Sequence, residues 1–480
     1  MRVLLVQPRQ SAGAGFKSIS IIEPLGLQMV AGGLLPAHEV RILDLFDWAD
    51  LVPALHEFAP QMCGISCSFT IDVYQAHKIA NTVKELFPKT FVCVGGHHAT
   101  LNPHDFLNPA IDAVVLGEGE FTARELADCL ESGGELRSVR SLAINRGDRQ
   151  EITPDREVNR DLDKLPMPAR HLVKGYRDRY FLGFQVPIAA LETARGCPFR
   201  CNFCSVWRFY HGRCRTKSPE RVVEELRSVE NEYVLITDDN FLLDVKRAET
   251  IGRELKKAGI RKRFNIQARS DAIVRHPELL KLWKDVGLFK VFIGFEKIDE
   301  KSLGLVQKQN SVANNEEALK ILQKLDVGVI ASFIVDPDYD RIDFAKLRDY
   351  VRRLKIYTPS FSVLTPLPGT ELYTKLKDQL LTSNYELFDL LHTVLPTRLE
   401  VQEFYEELTR LYRSAYRRPE YLAKSFLHIV RSILRGKVPL SHMWRLWAGG
   451  QYFIDPAGFL GAHLQNNAMT PHGLLSHDQT

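Results

Sequence analysis

Short apolar runs and amphipathic stretches alternate over the first 145 residues of the chain. Runs at 2–7, 40–45, 62–66, 90–95 and 113–116 have the length and Val/Ile content of buried strands. Between them, 25–35, 52–58, 73–87 and 121–130 carry apolar residues at helical spacing. Such alternation predicts an α/β domain of the doubly wound, Rossmann-like kind, with helices on both faces of a parallel sheet. Ligands of such sheets sit beyond the carboxyl ends of the strands. Three segments fall there: Ser66-Cys67-Ser68, Gly95-Gly96-His97-His98 and Gly117-Glu118-Gly119-Glu120.

A polar stretch over 146–186, containing Pro154, Pro166 and Pro168, reads as a linker. Alternation resumes over 187–374, with strand candidates at 187–192, 233–237, 264–267, 290–294, 329–335 and 360–364. Six such units are too few for an eight-stranded barrel and predict a partial (β/α)6 barrel, open on one side. After Pro368-Gly369 the strands stop. Residues 375–480 read as a mostly helical region, helical to about Leu434 and irregular beyond.

Composition narrows the function classes. The chain has 480 residues, 45% of them apolar and 25% charged, which suits a globular protein of roughly three domains. A net charge of +4 gives no reason to expect nucleic-acid binding. The longest apolar run, 327–335, has nine residues, well short of a membrane span. The N-terminus enters a strand-like run directly and lacks the features of a signal peptide. Eight cysteines are too few for a disulfide scaffold, so the expected setting is reducing and cytoplasmic.

The strongest chemical signal is Cys197-Pro-Phe-Arg-Cys201-Asn-Phe-Cys204, which follows the first barrel strand. Three close cysteines in such a chain point to metal. Zinc usually takes four ligands, and a zinc site here would have to be completed by Cys214 or His211. Three thiolates alone suit a four-iron cluster whose fourth iron stays open to another ligand. No phosphate-binding Walker loop, serine triad or H-E-x-x-H motif is present.

The CxxxCxxC triad on this loop resembles that of the radical S-adenosylmethionine (SAM) superfamily, over about 187–369. The resemblance implies that Cys197, Cys201 and Cys204 hold a 4Fe–4S cluster whose open iron is chelated by SAM. One electron, from a donor such as flavodoxin or ferredoxin, would split SAM into methionine and a 5′-deoxyadenosyl radical. It also implies SAM contacts at Phe203, before the last cysteine, and at Thr237-Asp238-Asp239-Asn240, where Asp238 and Asp239 end the second strand. Gln267, Arg269 and Glu296, ending the third and fourth strands, and the loop Pro366–Thr370 match further SAM positions. Taken as local chemistry alone, the two aspartates could cap a helix, Arg269 could pair with Asp271, and Glu296 could be a rim charge. Val335-Asp336-Pro337 departs from the small residue that relatives carry there.

A doubly wound domain ahead of such a barrel resembles the cobalamin-binding subfamily. The resemblance implies a cobalamin pocket at Ser66, Ser68, Gly95, Gly96, His97, Gly117 and Glu118. The loop after the first strand, 7–13, contains no His, which implies cobalt without a protein imidazole beneath it and His97 near the nucleotide tail. Within the subfamily, 22–35 and 388–399 are similar to the hopanoid C-3 methylases. That likeness implies a lipid or other small-molecule substrate and methylation of an unactivated carbon. The alternatives are an anaerobic Mg-protoporphyrin ester cyclase type and, from another class, a cobalamin sensor without catalysis. Segment 410–447 carries nine Lys or Arg against the single acid Glu420, along with Trp444 and Trp447. A basic, Trp-flanked amphipathic helix predicts peripheral contact with the inner membrane surface.

Overall fold

The computed structural model describes residues 1–8, 16–419 and 438–468. The first sheet contains β1 (Arg2–Gln7), β2 (Glu39–Asp44), β3 (Met62–Ser66), β4 (Phe91–Gly95), β5 (Ala113–Val115), β6 (Leu142–Arg146) and β7 (Arg149–Ile152). Its order is β2-β1-β3-β4-β5-β6-β7. The first five strands are parallel, in the 2-1-3-4-5 order of one common doubly wound arrangement. Helix Val73–Leu86 shows why these segments pack on the sheet. Val73, Ala76, Ile79, Ala80 and Val83 form one buried stripe at helical spacing.

The sheet runs beyond residue 145. β6 and β7 are an antiparallel hairpin added at its edge, so the boundary expected at 145 falls within β6. The expected linker is a packed strap. Its Phe181–Leu182 pairs with Ser20–Ile21. Arg170 bonds Glu23 of the first domain at 2.8 Å, and Glu225 and the Ala190 carbonyl of the second at 3.0 and 2.8 Å. The polar, proline-containing stretch read as a linker is fixed to both domains by this partly buried ion network.

The second sheet has six parallel strands in chain order: β8 (Ile188–Leu191), β9 (Tyr233–Ile236), β10 (Arg263–Gln267), β11 (Leu288–Glu296), β12 (Gly328–Val335) and β13 (Thr358–Val363). A parallel sheet in sequential order, with β8 and β13 as free edges, is a partial barrel. Alternation along each strand sets its two faces. Val291, Ile293, Phe295, Val329, Ala331 and Phe333 are buried in the core beneath the helices. The intervening Phe292, Gly294, Ile330 and Ser332 face the other way and are half-buried.

Beyond β13 the chain is irregular through 377–400, although the Leu390 carbonyl extends the sheet edge by accepting from Val363 N at 2.8 Å. Helix Val401–Tyr416 then covers β13. The expected irregular end is corrected. Leu440–Tyr452 and Pro456–Ala468 are helices, and buried Phe453 and Phe459 fix them to the barrel core. Much of the expected basic helix, 420–437, lies outside the described residues.

Candidate active site

The cysteine loop is built by its two ends. Ala194–Arg195 and Arg215–Thr216 form a short antiparallel ladder that brackets it. Gly196, at φ +90°, starts the loop, and a Cβ there would stand 2.1 Å from the Arg213 carbonyl. Only glycine passes this point. Cys197 and Cys204 are half-buried and Cys201 is buried, and none of the three is in a disulfide.

Burial raises all three thiol pKa values, that of Cys204 to about 12, and the charges of Cys201 and Cys197 add to the effect on Cys204. Lys308 and Arg269 oppose this at Cys201. Binding a metal cluster would therefore expel protons from neighbouring thiols and leave thiolates facing two cations. This donor set fits a 4Fe–4S cluster. Among the described residues, no three His, Cys, Asp or Glu side chains gather around one ion position.

The expected SAM residues divide into two groups. Asp238 is 1% exposed and is held by the scaffold. It accepts from Thr193 N at 2.6 Å, from Ala194 N at 3.0 Å and from the Thr193 hydroxyl, with Arg247 at 3.6 Å. It therefore pins the root of the cysteine loop, while Asp244 caps the following helix. Asp239 is exposed, and its charge acts on Cys197 and Cys204. Asn240 Oδ1, in a residue only 6% exposed, is buried without a hydrogen bond. An acceptor at that position suits an ammonium group.

Arg269 is likewise committed. Its nitrogens bond Asp271 and the carbonyls of Lys308 and Gln309 at 3.0, 2.8 and 2.5 Å, and its guanidinium lies 3.7 Å from the Phe199 ring centroid. It presses the cysteine loop against the loop after β11. Glu296 ends β11 at φ +61° beside a bulge and pairs with Lys308 at 2.8 Å. A left-handed Glu at a strand end is a strained position of the kind that clusters at functional sites. Gln267 and Phe203 are half-buried, and no side-chain hydrogen bond of Gln267 is seen among the described residues. The departure at Asp336 is accounted for. Its carboxylate meets Lys297, which is 2% exposed, at 2.5 Å, so a buried charge pair occupies that strand end.

At the first sheet, Ser66 is half-buried and Ser68 is exposed. A Cβ on Gly117 would meet nothing within 4 Å, so open space remains beside that loop, as it does beside Gly26 in the first turn of the helix Leu25–Leu34. Gly96, next to Gly95, takes φ +124° and passes 2.7 Å from the Cys67 carbonyl, measured from the Cβ position. Glycine loops over open space at these strand ends fit a large ring such as a corrin.

His97 and Glu118 face the barrel. His97 Nε2 shares a hydrogen bond with Ser205 Oγ at 2.7 Å, and its ring stacks on Phe209 at 4.5 Å. Burial, then neighbouring His98, lowers its pKa to about 4, so the ring is neutral at pH 7. Glu118 pairs with Arg215 and Arg195. Burial would raise its pKa, but hydrogen bonds from both arginines hold it low. His98 is fixed inside the first domain by Thr70 at 3.1 Å and Asp105 at 2.9 Å. Residues 9–13 of the His-free loop lie outside the described residues. Sequence reasoning gave no separate role to Asn240, Ser205, Arg195 or Lys308. Their adjacency to Asp239, Cys204 and Gly196 was the available signal for the first three.

The ligand loops of a doubly wound domain here meet the cysteine loop of a parallel partial barrel. The B12 binding domain family matches residues 14–127, and the Radical SAM superfamily matches 191–351. A hopanoid C-3 methylase of Methylococcus capsulatus is 36% identical over 83% of this chain and 77% of its own. An uncharacterized methyltransferase of Pyrococcus horikoshii is 31% identical over 91% of this chain and 98% of its own. The solved structure of the cobalamin-dependent SAM radical enzyme OxsB, with aqua-cobalamin and SAM bound, shares the fold. Its TM-score is 0.68 at 16% identity, covering 98% of this chain and 76% of that one. The chain belongs to the cobalamin-dependent radical SAM methyltransferases. Its cofactors are a 4Fe–4S cluster, SAM and cobalamin.

Proposed function

We propose that the enzyme methylates an unactivated ring carbon of a hopanoid, at C-3. The observation that carries this reading is the direct contact between the cobalamin-side loops and the cysteine loop, through His97–Ser205 and Glu118–Arg215. In this reading the contact brings a methyl carrier next to a radical source, and a C–H carbon needs both. The choice of hopanoid is supported by the relative named above.

When bound, the cluster supplies the electron that splits SAM, and cobalamin supplies the methyl group. In our assignment Cys197, Cys201 and Cys204 hold the cluster, and Lys308 and Arg269 temper its charge. Asn240 Oδ1 and Asp239 receive the SAM ammonium, Gln267 and Phe203 border the nucleoside, and Asp238 and Arg269 brace these groups. The glycines at 95, 96 and 117, with Ser66 and Ser68, admit the corrin. Half-buried Phe292 and Ile330 give the inner barrel face an apolar surface for a hydrocarbon.

The lipid reading extends to location. No helix among the described residues is long and apolar enough to cross a membrane. Trp444 and Trp447 are 67% and 57% exposed and stack at 4.9 Å. Beside the basic segment they suit contact with an anionic bilayer surface. Product stoichiometry tests the reaction. Anaerobically reconstituted enzyme with hopanoid, SAM and a reductant should consume two SAM per methylation, yielding S-adenosylhomocysteine and 5′-deoxyadenosine in equal amounts. Deoxyadenosine alone would favour a cyclase, and neither product would favour a sensor.

A further inference from the structure

The cobalamin-side loops grip the cysteine loop on both flanks. On one flank, His97 reaches Ser205, the residue after Cys204, and stacks on Phe209 with the rings 13° apart. On the other, Arg195, two residues before Cys197, is 5% exposed and meets three carboxylates. These are Glu118 at 3.1 Å, Glu120 at 2.5 Å and Glu192 at 2.7 Å. Arg215, which pairs across the ladder with Arg195, also binds Glu118 and donates to the Asn159 carbonyl of the strap at 2.6 Å. Both loops leave neighbouring strands of the first sheet, β4 and β5. Removing one partner of a buried ion pair strands the other charge, so these contacts are costly to break.

We propose that His97 with Ser205, and Glu118 with Arg195 and Arg215, form a two-point latch that fixes the cobalamin site relative to the cluster. They are positioning residues, and His97 is spent on the latch and not on cobalt. The inference rests on the reading above that places a cluster and cobalamin at these loops, but not on the identity of the substrate. Two separate pockets joined by a loose interface would permit SAM cleavage without methyl transfer. A fixed separation keeps the steps coupled.

Pulsed electron paramagnetic resonance on the reconstituted holoenzyme tests the latch without substrate. With cluster and cobalt both paramagnetic, the wild type should give one narrow cluster–cobalt distance distribution. Ser205→Ala and Glu118→Gln should broaden it while keeping both cofactors. His97→Gln, which can still bond Ser205, should restore most of the narrowness lost in His97→Ala. The cobalt spectrum should lack nitrogen superhyperfine splitting from a protein imidazole. During turnover, the ratio of deoxyadenosine to S-adenosylhomocysteine should rise severalfold in the broadened variants. An unchanged distance distribution in Ser205→Ala and Glu118→Gln would overturn the latch. So would an imidazole splitting that disappears in His97→Ala. A wild type with a narrow distribution but no methylated hopanoid would overturn only the substrate reading.

Discussion

Lys308 Nζ lies 2.8 Å from Glu296 Oε1, and both side chains are largely buried beside Cys201. Gly294 makes room for the pair. A Cβ there would stand 2.0 Å from the Glu296 carboxylate and 2.6 Å from the ammonium. Burial works to discharge Lys308, but Glu296 and then Cys201 outweigh it and hold the pKa up. Removing one partner of a buried pair strands the other charge, at a cost of about 3–5 kcal/mol. Lys308→Met should therefore destabilise the protein by roughly 3 kcal/mol in anaerobic denaturant unfolding. The double variant Glu296→Gln/Lys308→Met should recover most of that loss. Equal stability of the single variant and the wild type would show that the pair is not coupled.

Two adjacent positions should separate scaffold from binding. Asp238→Ala removes the acceptor of two backbone amides and the Thr193 hydroxyl, and leaves Arg247 without its nearest carboxylate. It should lower the unfolding midpoint and impair cluster assembly. Asn240→Ala removes an acceptor that makes no protein hydrogen bond, so stability should hold. A hydrogen bond to a charged group is worth about 1.5–3 kcal/mol, so SAM should bind about tenfold or more weakly. Equilibrium dialysis with reconstituted enzyme reads this directly. Unchanged SAM affinity in Asn240→Ala would remove that residue from the site.

Much of the fold was legible because periodicity and spacing are local. All six barrel strands and the parallel strands of the first sheet lie within a few residues of their expected places. The cysteine loop lies where its position after the first barrel strand placed it. The hairpin Leu142–Ile152 was not, because a polar edge strand has no strong apolar alternation. Side-chain commitment was also hidden. Asp238 and Arg269 sit at the expected strand ends, yet their polar atoms serve the protein. That depends on Thr193 and on the loop at 308–309, partners far away in sequence. His97 was expected near a nucleotide tail, and its partner Ser205 belongs to another domain.

Acid should weaken the protein through His97. Its pKa in the folded state is about 4, against about 6.5 unfolded, so the unfolded chain binds more protons between these values. Stability should then fall as pH drops from about 6.5 to about 4, by up to about 3 kcal/mol. The low pKa of Glu118 acts in the same sense, its contribution disappearing as pH falls through the depressed value. His97→Gln should flatten the dependence of the unfolding midpoint on pH across this window. A slope identical to that of the wild type would contradict the assignment.

Membrane contact can be tested at the tryptophan pair. The wild type should sediment with anionic vesicles and not with neutral ones, less so as salt is raised. Trp444→Ala/Trp447→Ala should bind more weakly with its unfolding midpoint unchanged, since both rings are largely exposed. Equal sedimentation by the variant would exclude these rings from any bilayer contact.

The most direct test of methyl transfer to a hopanoid uses SAM carrying a trideuterated methyl group. Reconstituted enzyme, hopanoid, labelled SAM and a reductant are combined anaerobically, and the extracted lipid is analysed by mass spectrometry and nuclear magnetic resonance. The expected product is a hopanoid heavier by one trideuterated methyl group at C-3, absent in the Cys197→Ala, Cys201→Ala and Cys204→Ala variants. Deoxyadenosine release with no label in the lipid would contradict it.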